Sequence, residues 1–202
     1  MMRRLANFVI AGMAALASIG CASASAKFYT LDSTATSDGA PAVRRAIAVG
    51  PVALPPSVDR PQIVVQVAPN QVRVDEFHRW AGPLDDAVAR AVAGDLAVLL
   101  GTADVAAAPV SGFAPTHRVT IDVQRFESVP GDRVVVEALW AVRPAAGGNV
   151  RSGRTVAQEN VTEKSFDAIA AAHSRALATV SADIAHAIRA DASARPPRAR
   201  AR

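Results

Sequence analysis

Between residues 62 and 100 the spacing of apolar side chains changes period, and that change constrains the fold more than any other feature of the chain. Residues 62–68 (QIVVQVA) form a short apolar run. Residues 71–76 then alternate Val72 and Val74 with Arg73 and Asp75, as a strand with one wet face does. Pro69-Asn70 between them is a tight-turn pair, so the two segments predict a hairpin. From Leu84 the period becomes helical: Leu84, Val88, Val92, Leu96 and Leu99 make one stripe. Pro83 suits the first helical position, Asp85 and Asp86 sit at the positive end of the helix dipole, and Gly101 supplies the stop.

The remaining segments repeat these patterns. Residues 47–54 (IAVGPVAL), ending at Pro55-Pro56, predict a buried strand. Beyond a Gly/Ala/Pro loop, residues 117–126 place Val119, Ile121 and Val123 on one face and Arg118, Thr120, Asp122 and Gln124 on the other. The turn Pro130-Gly131-Asp132 leads into a strand over 133–142, and Gly147-Gly148-Asn149 into a sixth around 155–161. Ser165 caps a final helix through Arg189, with Phe166, Ile169, His173, Leu177, Val180, Ile184 and Ile188 on its buried side. The order βββαβββα implies an α+β fold: a mostly antiparallel sheet with two helices packed on one face.

Upstream of the fold, Arg3 and Arg4, the apolar run 5–16 and the small residues after it make a three-part export signal. The run is shorter than the roughly 20 apolar residues a membrane span needs. Cys21 is the only cysteine. It follows a small residue at the end of the run, as the lipidated cysteine of bacterial lipoproteins does, while Ala24-Ser25-Ala26 offers an ordinary cleavage site. A lone cysteine closes no internal disulfide. Acyl chains contribute about 0.8 kcal/mol per buried CH₂, so a multiply acylated Cys21 anchors the chain durably. Ala22 after it, rather than Asp, favours the outer membrane. The expected organisation is a signal over 1–20, a lipidated tether over 21–45 whose KFYTL stretch pairs with a sheet edge, one domain over 46–190 and a disordered basic tail over 191–202.

The net charge is +4, but six of the 22 basic residues are Arg3, Arg4, Arg195, Arg198, Arg200 and Arg202; without them 16 remain against 18 acidic. The folded part is near neutral, which argues against nucleic acid as a partner. His78, His117, His173 and His186 are scattered, and the last two stand too far apart on one helix to grip a metal. Neither a metal site nor a cofactor is expected. Ser111 and Ser152 lack the nucleophile-elbow context. An envelope hydrolase would need a pocket bringing His78 or His117 near a serine or a carboxylate.

Two segments carry more specific residues than a sheet edge requires. They are Leu54 to Gln66 (LPPSVDRPQIVVQ) and Asp75 to Leu84 (DEFHRWAGPL). With Cys21 and Tyr29-Thr30-Leu31 before them, the order Val49-Gly50-Pro51-Val52-Ala53-Leu54-Pro55, Asp59-Arg60-Pro61-Gln62-Ile63-Val64 and Arg79-Trp80-Ala81-Gly82-Pro83-Leu84 resembles the ABC-type transport auxiliary lipoproteins. That family is also called paraquat-inducible protein C-like, or the membrane integrity-associated transporter subunit. The resemblance covers about residues 21–100; Gly82 stands where the family commonly has an acidic residue. It implies a non-enzymatic, periplasm-facing lipoprotein of the outer membrane. Such a protein would join a transenvelope lipid-transport assembly beside an MCE-domain protein and an inner-membrane transporter subunit, as a homo-oligomer. Two roles stay open for the DEFHRWAGPL corner. Trp80 caps the hydrophobic layer while Asp59 or Glu76 pairs with Arg79, or Arg60, His78, Arg79 and Trp80 face a neighbouring copy or the transporter. A different class of function, a lipoprotein gripping cell-wall peptidoglycan through the arginine-rich tail or Arg151 and Arg154, is the alternative.

Overall fold

A computed structural model describes residues 25–107 and 111–193. The expected signal 1–20, Cys21 and residues 194–202 of the tail expected over 191–202 lie outside them, while residues 191–193 continue the last helix. The elements are β1 (Lys27–Tyr29), β2 (Ile47–Ala53), β3 (Gln62–Ala68), β4 (Gln71–Trp80), α1 (Leu84–Leu100), β5 (Val105–Ala107), β6 (His117–Val129), β7 (Arg133–Pro144), β8 (Arg151–Asn160) and α2 (Phe166–Ser193). The fold is α+β, with β1 and β5 as two short strands beyond the six expected.

The pairing is mixed where a mostly antiparallel single sheet was expected. Five strands run β5-β2-β6-β7-β8, and three run β1-β4-β3. β2 is parallel to both β5 and β6, and β1 is parallel to β4; the hairpins β3-β4, β6-β7 and β7-β8 are antiparallel. The reason is the long excursion after β2. The β3-β4 hairpin forms its own sheet, so the chain returns through α1 beside β2 in the same direction, as a crossover must.

Both helices cover one face of the five-stranded sheet, α1 over β2 and β5 and α2 over β7 and β8, and they also pack on each other. Leu84, Val88, Val92, Leu96 and Leu100 on α1 are buried against Ile169, Leu177, Val180, Ile184 and Ile188 on α2 and Ile47, Val49, Val119, Ile121, Val134 and Val136 of the sheet. The ends of the helices follow the local chemistry. Pro83 precedes α1 with Asp85 and Asp86 in the first turn, and Gly101 closes it at φ 62°, a left-handed conformation that glycine adopts at little cost. Ser165 accepts the N–H of Ala168 at 3.2 Å and so caps α2.

From Lys27 on, the stretch expected as a tether is laid along the body. β1 pairs with the end of β4, and residues 31–43 cross both helices as a strap. Ser33 Oγ and the N–H groups of Thr34 and Ala35 all donate to Asp95 Oδ1 on α1, at 2.8, 2.9 and 2.9 Å. Asp32 N–H donates to Ser174 Oγ on α2, Arg189 holds Asp38, and Val43 N–H donates to Leu100 O.

Candidate functional site

The corner is built on a break in a ladder. Val64 pairs with Val74 and Gln62 with Arg79, so β4 spends three more residues than β3 over the same span. Residues 75–78 therefore bulge away from the partner strand. Asp75 organises the bulge: its Oδ1 accepts the N–H of Phe77 at 3.1 Å, the N–H of His78 at 3.0 Å and the His78 ring at 2.7 Å. Burial opposes the Asp75 charge, but these donors outweigh it and hold the carboxyl below its ordinary range.

Beyond the bulge the alternation of the strand sorts the motif. His78 turns inward and stacks on Phe166 with centroids 3.9 Å apart and 10° between planes, and Tyr29 lies against both rings, at 5.8 Å from His78 and 6.2 Å from Phe166. Burial, then the charges of Asp167 and Asp75, raise the Tyr29 phenol above its usual value. Trp80 is buried, edge-on to Phe126 and His173. Arg79 turns outward, its Nε donating to Glu76 O at 2.9 Å and its guanidinium 3.8 Å from the Glu76 carboxylate. Of the two partners expected for Arg79, the structure selects Glu76.

Trp80 also floors a hollow of about 460 Å³ lined by Asp59, Arg60, Pro61, Ala81, Gly82, Pro83 and Leu84. Arg60 stands exposed at this rim. The four residues of the candidate interface thus divide: Arg60 and Arg79 face solvent, while His78 and Trp80 hold the corner to α2. Cys21 lies outside the described residues.

Three of the four histidines do meet oxygen partners. His78 holds Asp75, and His117 Nε2 lies 3.2 Å from Asp191 and its Nδ1 3.0 Å from Thr116 Oγ1. The serine that meets an imidazole is Ser128, 2.8 Å from His173 Nε2, in a pair sealed inside the core. Among the described residues no three His, Cys, Asp or Glu side chains converge as metal ligands, and no helix is long and apolar enough to cross a membrane. Of the basic turn, Arg154 pairs with Glu137 at 2.8 Å and Arg151 approaches Asp191 at 3.9 Å.

Sequence reasoning did not find Asp95, the buried carboxylate that seats the strap. Its signal was an acidic residue at the margin of an apolar stripe, three residues after Val92 and beside Leu96, with Gly94 before it. Gly94 is needed there because a Cβ would meet Ser33 Cβ at 2.8 Å.

The family model described as ABC-type transport auxiliary lipoprotein component matches residues 29–185, from β1 through most of α2. The chain belongs to this family. The match spans the strap, the corner and both sheets. Two solved structures share the fold. A Xanthomonas campestris protein of the family model DUF330 superposes with a TM-score of 0.69 at 22% identity, covering 83% of this chain and 99% of its own. A crystal structure of an uncharacterized protein gives 0.67 at 21%, covering 82% and 99%. No curated protein matches. As a family member the chain is an auxiliary component of a transporter, associated with a membrane.

Proposed function

We propose that the protein is the non-enzymatic outer-membrane lipoprotein of a transenvelope lipid-transport assembly, anchored on the periplasmic face through Cys21 after removal of residues 1–20. It would work there as a homo-oligomer, beside an MCE-domain protein and an inner-membrane transporter subunit. The observation that carries this reading is the family match over residues 29–185, which begins at β1, eight residues after the single cysteine. A chain lipidated at Cys21 would leave the bilayer and enter its own fold almost at once. That geometry suits a part that must hold a fixed position between membrane and partner.

The surface proposed for the partner, or for a second copy, is the solvent side of the corner: Arg60 at the rim of the hollow and Arg79 beside it, with Trp80 as the floor and His78 as the pin. Arginine around an apolar hollow is a favoured interface arrangement. The decisive experiment is recovery of the C-terminally tagged chain from membranes in mild detergent, with identification of what accompanies it. Recovery of an MCE-domain protein and its inner-membrane companion supports the transport reading. Recovery of peptidoglycan alone rejects it in favour of cell-wall binding.

A further inference from the structure

The corner has an outward face that its packing does not use. With His78 and Trp80 turned inward, Phe77 and Arg79 point out, and the parallel register sets Phe28 of β1 directly beside Arg79. Phe28 is 64% exposed and Phe77 48%. One exposed phenylalanine is ordinary. Two on adjoining strands, beside the Arg79–Glu76 pair, form an aromatic patch.

What covers the patch follows from where the chain goes. Cys21 precedes Lys27 by six residues, and six extended residues reach about 20 Å. A body of this length is on the order of 40 Å across. α2 gives the molecule two poles. Phe166 at its start stacks on His78 in the corner, and Asp191, near its end, approaches Arg151. Those 25 residues of helix span about 37 Å. A lipid on Cys21 keeps the corner pole within reach of the bilayer and leaves the far pole beyond the length of the tether. The tether also holds the patch at a high local concentration over the surface, so a weakly apolar face suffices.

We infer that the two phenylalanines seat the body on the lipid surface, Phe28 and Phe77 entering the boundary between headgroups and acyl chains while the Arg79–Glu76 pair beside them is left to the partner surface proposed above. The inference rests on the lipid-anchored reading proposed above.

The test places an indole at each pole by Phe28→Trp or Val150→Trp; Val150 is exposed and adjoins Arg151. Native Trp80 and Trp140 are buried and are removed by subtracting the wild-type signal. Each full chain is bound to phosphatidylethanolamine–phosphatidylglycerol vesicles carrying brominated acyl chains, in two forms. One is the chain as purified from membranes. The other is unlipidated chain coupled through its single thiol, at Cys21, to maleimide headgroups. The expected result is a blue shift and bromine quenching of the Phe28→Trp variant, and neither for Val150→Trp. Equal quenching of the two variants in the coupled form overturns the seat. So does a blue shift of Phe28→Trp without vesicles that grows with protein concentration, because a second copy then covers the patch. If membrane-purified chain carries no acyl group while the coupled form still shows the contrast, the anchor reading fails and the seat stands.

Discussion

Ser33 donates its hydroxyl to Asp95 at 2.8 Å, and through that carboxylate the N-terminal strap is joined to both helices, since Asp95 Oδ2 also accepts Ser181 Oγ of α2 at 3.1 Å. Asp95 is fully buried. A buried carboxylate with four donors holds only because those donors satisfy it, and removing it takes their acceptor from all four, leaving Ser181 its bond to Leu177 O and Ser33 and Thr34 to water.

Asp95→Ala should therefore destabilise the protein by about 3 kcal/mol, as loss of hydrogen bonds to a buried charged acceptor does. For a body of this size that lowers Tm by roughly 6–12 °C. Thermal denaturation reads the loss, and amide exchange localises it: Thr34 and Ala35 should lose protection first. A variant that melts like the wild type with a protected strap would contradict this role.

The regular elements were legible in the sequence wherever a period and a cap coincided. The bounds of β3 follow from QIVVQVA and the turn Pro69-Asn70, and those of α1 from the 84-88-92-96-99 stripe between Pro83 and Gly101. What alternation cannot give is the identity of a strand's neighbour: it assigns faces, and a strand such as β2 reads the same whether β6 lies parallel or antiparallel to it. β1 and β5, at three residues each, are too short to show any period. In the corner, Arg79 and Trp80 were legible as residues apart from their surroundings. The inward turn of His78 and Trp80 was not, because it depends on the three-residue bulge that Asp75 holds open.

Gly153 sets the distance between β8 and Trp140. A Cβ there would meet Trp140 Cζ2 at 2.4 Å. The indole cannot step aside, because its N–H donates to Thr155 Oγ1 at 3.0 Å, and that hydroxyl donates to Asp183 on α2. Gly153→Ala should cost about 1–3 kcal/mol by overpacking. Trp140→Phe in the same chain removes the clashing atoms, so the double variant should be more stable than the sum of the single losses predicts. Additive losses in urea denaturation would refute the contact.

His173 makes stability depend on pH. Its ring lies 3.8 Å from that of Phe126 at 4°, fully buried, and burial pushes its pKa down to about 3. The unfolded chain takes up this proton below about pH 6.5, whereas the folded chain does not. Stability present above pH 6.5 is thus lost as the pH falls, at up to about 1.4 kcal/mol per unit. The depressed carboxyls of Asp38 and Asp75 work in the same direction, but only below about pH 4. Between pH 7.5 and 5.5 the stability advantage of wild type over His173→Gln should shrink by about 1 kcal/mol. A difference that stays constant over that window would mean the ring takes up its proton in the fold as readily as in the unfolded chain.

Arg79 and Trp80 are neighbours with opposite expectations. Trp80 is 5% exposed and wedged against Phe126 and His173, so Trp80→Ala removes core volume and should cost about 3–5 kcal/mol, or roughly 6–20 °C in Tm. Arg79 gives the fold an exposed pairing with Glu76 at 3.8 Å, which is worth about 0–1 kcal/mol. If Arg60 and Arg79 face the partner, Arg60→Ala and Arg79→Ala should reduce co-purification of the transporter subunits, or the size of the homo-oligomer, while Tm moves by no more than about 4 °C. The paired measurement separates the two roles: a fall of several degrees with assembly intact would make Arg79 part of the packing of the corner and place the partner surface elsewhere.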